Sequence, residues 1–214
     1  MRQKRGKNLH IAEGVLSLPV LAAGASVAAA GTAYGIRKLP FEAVPRCGIV
    51  SAALFVASLI HINLGVSSAH LVLNGLGGLF LGWSLFPACL VALLLQAVLF
   101  QFGGLVVLGV NASVMAGPGV LAGLFARYLL SRQVPPLLCG FIAGAGGVIG
   151  AAVAVAGALI FEGEAFRATA LLLVGANIPI ALIEGVVTAF IVVFLSRTAP
   201  GFLGNRKARR SDTR

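Results

Sequence analysis

The sequence predicts an all-α, polytopic membrane protein of about seven transmembrane helices. Three observations carry that prediction. The chain of 214 residues is 59% hydrophobic and only 10% charged, where a soluble domain carries roughly 25% charged residues. Its mean hydropathy is +1.02. No Asp, Glu, Lys or Arg occurs from Cys47 to Ala126, or again from Gln133 to Phe161, and each run exceeds the ~20 apolar residues that one bilayer crossing needs.

Taken in order, the first span runs from about Val15 to Gly35 and stops at "IRKLPFEAVPR". The second covers about Cys47 to Ile62 and leads into the polar turn "NLGVSS". The third is short, about His70 to Gly82, and Trp83-Ser84 turns the chain into the fourth, about Leu85 to Leu108. "GVNASVMAGPG" then reads as an interruption before the fifth, about Met115 to Leu130. The sixth runs from about Pro136 to Ile160, and the seventh from about Thr169 to Leu195 with Pro179 and Glu184 inside it. Residues 197–214 form a basic tail and residues 1–8 a basic leader, with the transmembrane domain between them at 9–196.

Many of the 28 glycines sit in these spans, as in "GFIAGAGGVIGAA" at 140–152. Small residues at four-residue spacing let membrane helices approach closely. The run has no following Lys-Ser/Thr and no preceding strand, so it is no phosphate-binding loop. The three cysteines, Cys47, Cys89 and Cys139, read as small buried hydrophobes rather than a disulfide framework.

Net charge is +10, but the positive residues gather at the ends and in short loops, which is what membrane topology produces and not a nucleic-acid footprint. With seven spans, Arg37, Lys38, Arg46, Arg127, Arg132 and the tail residues share one side, and Arg167 shares the other with the leader. The positive-inside rule then puts the C-terminus in the cytoplasm and the N-terminus outside. The leader "MRQKRGK" is out of place on that outer side.

In so apolar a chain each intramembrane polar residue is a candidate for function. His10 precedes the first span, His61 ends the second and His70 opens the third, so seven alternating spans bring all three to the outer side. Imidazoles grouped on one face suit a transition metal such as Co²⁺, Ni²⁺, Cu²⁺ or Zn²⁺. A single histidine at a span end is more ordinarily interfacial, and both readings stay open on the residues alone. Glu13 either balances charge near a metal or favours the start of the first helix through the helix dipole. Ser67 and Ser68 are candidates to cap the third helix at His70. Asn74, Gln96, Asn111 and Asn177 either line a cavity or hold helices together. Glu184 either marks a coupling surface or pairs with another helix. No HExxH or GxSxG occurs, and a metal site with almost no general base beside it reads as capture rather than catalysis.

Three stretches carry a resemblance. "HIAEGVLS" at 10–17 resembles the N-terminal signature of the CbiM/NikM family, usually Met-His-Ile-x-Glu/Asp-Gly. "SSAHLVLNGLGGLFLGW" at 67–83 is similar to its Ser-Ser-x-His segment, and "LLLQAVLFQFGGLVVLGVNASVMAGPG" at 93–119 to its Gln-Ala, Gly-Gly-Leu and Asn-x-x-x-Met block. The resemblance implies a substrate-capture subunit of an energy-coupling factor (ECF, ABC-type) importer for Co²⁺ or Ni²⁺, serving for example cobalamin biosynthesis, with no enzymatic activity and no catalytic cofactor. It implies as partners the ATPase subunits and a transmembrane coupling (T) subunit, with a small auxiliary membrane subunit as a further candidate. It also implies a near-square-planar metal set: the amine of an N-terminal residue, the amide and imidazole of the following His, and the Ser-Ser-x-His imidazole. Carried onto this chain these are Leu9, His10 and His70, with His61 a candidate extra ligand and Glu13, Ser67, Ser68 and Asn111 around them. Such a dipeptide forms fused chelate rings, suited to Ni(II)-like ions.

Leu9 departs from the pattern, because its amine serves as a ligand only if the chain begins there. Either the leader is processed or the site uses His61 in its place, or Leu9 is a leucine start codon read as Met. The misplaced charge of the leader favours the reading in which Leu9 is the start. The alternatives to cobalt import are a nickel-specific subunit, a membrane scaffold with interfacial histidines, and capture of an organic vitamin. The last fits poorly with one Trp and two Tyr in the chain, since such pockets are rich in aromatics.

Overall fold

A computed structural model describes residue 14 and residues 16–63 and 68–199. Within them the protein is a bundle of seven α-helices: α1 (Leu18–Arg37), α2 (Val44–Leu59), α3 (Asn74–Leu81), α4 (Leu85–Phe100), α5 (Leu108–Ser131), α6 (Pro136–Phe161) and α7 (Arg167–Thr198). A short two-stranded antiparallel ribbon, β1 (His61–Asn63) and β2 (Ser68–His70), lies between α2 and α3. Prolines open α1, α2 and α6, where the missing N–H costs nothing.

The bundle has an apolar core and an apolar outside as well. Large apolar side chains such as Ile49, Leu171, Phe190 and Phe194 lie on the outside, while Asn74, Gln96, Asn111, Asn177, Glu184 and Thr188 are buried within. Lipid accepts the first and rejects the second. Among the described residues six helical segments are long and apolar enough to cross a membrane, one of them running through α3 and α4 together as Asn74–Phe100; the sequence already marks the third span as short. There α3 has 8 residues, about 12 Å at 1.5 Å per residue, and covers only part of a bilayer. A 3-10 turn at Gly82–Ser84 joins it to α4.

That short helix is a half-crossing. At its start, Asn74 donates to the carbonyls of Met115 and Gly147, both at 3.0 Å, level with the middle of α5 and α6. At its end the chain reaches the C-terminal end of α1, where the Ser84 hydroxyl donates to the Gly35 carbonyl at 2.9 Å. Glycines make this possible. A Cβ on Gly75 would run into the Ala143 carbonyl, and one on Gly78 into the Gly119 carbonyl, so the backbones touch. Gly140 and Gly144 of the 140–152 run pack in the same way against α7 at Ala189 and Glu184, as the spacing of small residues predicts.

Three boundaries move from their sequence-based positions. The third helix starts at Asn74, not His70, because residues 68–70 pair as a strand. Its N-cap is Leu73, without a side-chain cap. The break between the fourth and fifth spans falls at 101–107, where Gly103 and Gly104 take positive φ. "GVNASVMAGPG" is thus helical, Pro118 included, its polar residues satisfied inside the bundle; the Ser113 hydroxyl donates to the Gly24 carbonyl at 2.7 Å. Cys47, Cys89 and Cys139 are buried and unbridged, as expected.

Candidate metal centre

The ribbon is the first component. Two three-residue strands have little stability of their own, and here they sit directly between α2 and the chain entering α3. Their register pairs His61 with His70, Ile62 with Ala69 and Asn63 with Ser68. Directly opposed antiparallel residues have Cα atoms about 4.5–5.5 Å apart. The two histidines, nine positions apart in sequence, are therefore neighbours through backbone pairing.

The chain segment after His70 is the second component. Val72 is buried, and Leu73 adopts a left-handed conformation with φ 51°, which costs a side-chain-bearing residue about 1–2 kcal/mol. What holds it is Glu184 of α7. The Glu184 carboxylate, fully buried, accepts from the Val72 amide and, at 2.8 Å, from the Leu73 amide. These amides lie at the N-terminal end of α3, where backbone N–H groups lack helical partners and the helix dipole favours negative charge. At the other end, Arg127 of α5 donates from Nε to the Leu79 carbonyl at 2.6 Å, placing a cation where the dipole is negative. A helix of two turns is thus bracketed by an acid and a base from two neighbouring helices.

The third component is the approach of the N-terminal segment. Leu16 packs in the same buried cluster as Val72, Val110 and Met115. The backbone amide and the hydroxyl of Ser17 both donate to Glu162 Oε1, at 2.8 and 2.9 Å. The start of α1 is thereby tied to the end of α6, and Leu16 lies in the interior that also receives the residues following His70.

Of the residues singled out in the sequence, Leu9, His10, Glu13 and Ser67 lie outside the described residues. The backbones of His61 and His70 are paired directly, and Ser68 lies on the same strand as His70. Asn111, 2% exposed, sits against the α4–α5 turn, where a Cβ on Gly103 would lie 3.1 Å from its side-chain nitrogen. Asn74 proves to be a tie between helices, not a cavity lining. The clasp of Glu184 on Val72 and Leu73 is what the sequence did not disclose. A lone acid within an apolar span signals that it must have a partner, but the partners are backbone amides more than a hundred residues away.

Comparison with known proteins agrees with this architecture. The family described as "CbiM: Cobalt uptake substrate-specific transmembrane region" matches residues 10–202. A Haemophilus influenzae protein named for metal transport is 42% identical over 196 residues, 90% of this chain and 95% of its own length. "Cobalt transport protein CbiM" of Sorangium cellulosum is 32% identical over 212 residues, 91% of this chain and 94% of its own. A crystal structure titled as a truncated transition metal transporter superposes with a TM-score of 0.74 at 25% identity, covering 88% of this chain and 99% of that one.

Proposed function

This chain belongs to the CbiM family of cobalt-uptake transmembrane proteins, and on that premise we propose that it captures Co²⁺, or alternatively Ni²⁺, for an ECF-type importer. It is a multi-pass membrane transport protein and not an enzyme. The observation that carries the reading to a site is the pairing of His61 with His70 on the ribbon. His70 and His10 bind the ion as imidazole ligands, Leu9 adds its amine where it is the first residue, and His61 lies beside His70 as an additional or orienting group. Glu13, Ser67, Ser68 and Asn111 surround the set. The burial of Leu16 with Val72 supports delivery of the N-terminal segment to the residues after His70.

In this reading the N-terminus and ribbon face the outside and the basic tail the cytoplasm, following the distribution of Lys and Arg. ATPase subunits and a transmembrane coupling subunit supply the energy, with a small auxiliary membrane subunit where one exists. The ligands must lose protons to bind, and the ion must lose water, so capture is a ligand-exchange step. ATP hydrolysis in the partners then reorganises the bundle for inward release. The test is titration of the purified protein with Co²⁺ and with Ni²⁺. One ion per chain is expected, lost in His70→Ala and in His10→Ala, and unchanged binding in both variants refutes the site.

A further inference from the structure

We propose that Glu184 is a positioning residue for metal capture: its carboxylate, clasping the Val72 and Leu73 amides, sets where His70 stands relative to the bundle. The inference rests on the capture reading above and adds to it a residue on a different helix. Three observations carry it. First, Glu184 is fully buried near the middle of α7, and a carboxylate kept at that depth is costly unless its acceptors are filled. Both of its oxygens are engaged, one by each of two consecutive amides.

Second, those amides belong to the second and third residues after His70. The left-handed turn at Leu73 is the point where strand β2 becomes helix α3. Between His70 and Asn74 the chain has a single short path, so the direction in which β2 leaves the bundle follows from how this turn is held. Third, the other end of the segment is tied to its neighbours at several points. Asn74 is tied to α5 and α6, Gly75 and Gly78 press on backbone, and Arg127 holds Leu79. With α3 tied below and the turn clasped above, the end of β2 is fixed to the bundle on both sides of Leu73.

The experiment compares Glu184→Gln, Glu184→Ala and Thr188→Val with the parent chain and with His70→Ala, using Ni²⁺ alone as probe and reading capacity, Kd and the visible absorption of the bound ion. Gln keeps the shape and one acceptor oxygen, and Ala keeps neither. Thr188, also buried on α7, is the control for disturbance of that helix. Loss of an orienting contact typically weakens metal sites about 10–100-fold. The expected order of affinity is parent, then Gln, then Ala, with an altered spectrum in Gln and parent-like behaviour in Thr188→Val. If Glu184→Ala does not fold, Glu184→Gln alone decides. Unchanged Kd and spectrum in Gln overturns the inference, as does reduced capacity at unchanged Kd, which is the mark of a purely structural role. An equal loss in Thr188→Val overturns it as well. Binding that survives His70→Ala unchanged, or no binding of either Ni²⁺ or Co²⁺ by the parent, overturns instead the capture reading and the inference with it.

Discussion

His61 and His70 are direct partners across the two-stranded ribbon, each opposed to the other in the antiparallel register. Two segments read from sequence as the end of one span and the start of another are thereby joined into one element. The pairing gives the two histidines different expected weights, since one belongs to the transferable motif and the other reaches the site only by register. In metal titrations His70→Ala should abolish binding. His61→Ala should weaken it about 10–100-fold, the range for residues that orient a ligand. Equal loss in both would make His61 a full ligand.

The residue before His10 should matter through its amine alone. A chain expressed to begin with Met followed by His10 should bind Ni²⁺ at least about 100-fold more tightly than one carrying residues 1–8, because a peptide-bonded nitrogen at position 9 is a poor donor and a chelate ring is lost. Equal affinity of the two forms, each verified by intact mass, would show that the amine is not used.

Gly78→Ala should be severely destabilising. Its Cβ would meet the Gly119 carbonyl, and backbone cannot yield as a side chain can, so the cost reaches or exceeds the roughly 1–3 kcal/mol of ordinary overpacking. Gly48→Ala, with nothing within 4 Å of the added carbon, should be neutral or slightly stabilising, since alanine favours helix by about 1 kcal/mol. Thermal unfolding in detergent compares the two, and similar Tm values would contradict the close packing of α3 on α5.

Asn74→Ala removes two donated hydrogen bonds to α5 and α6 and the 2.9 Å contact that its Oδ1 accepts from the Gly75 amide. Interhelical hydrogen bonds in membranes contribute about 0.6–2 kcal/mol, so a lower Tm is expected with the helical circular dichroism retained. An unchanged Tm would mean that packing alone holds α3.

Arg127→Gln should lower stability by about 1.5–3 kcal/mol, the range for hydrogen bonds to charged groups, and Arg127→Lys should restore little. The Nε–H that meets the Leu79 carbonyl belongs to the rigid guanidinium plane, which an ammonium on a flexible stem does not reproduce. Full recovery in the lysine variant would reduce the role of Arg127 to its charge.

The sequence by itself determined that this is a helical membrane protein, where most spans lie, and which residues are too polar to be there by chance. Those properties follow from composition and local hydropathy, because lipid demands long apolar segments wherever the chain crosses. It also determined the family, through short motifs around His10, His70 and Asn111. The tertiary structure decided what each exceptional residue does. It shortened the third span to the eight residues of α3, converted the approach to His70 into a strand, and moved the α4–α5 break to Gly103–Gly104. Above all it paired Glu184 with amides 111 and 112 positions away. A buried carboxylate announces in sequence that it needs donors, but any backbone can supply them. Only the packing of α7 beside the turn at Leu73 selects which.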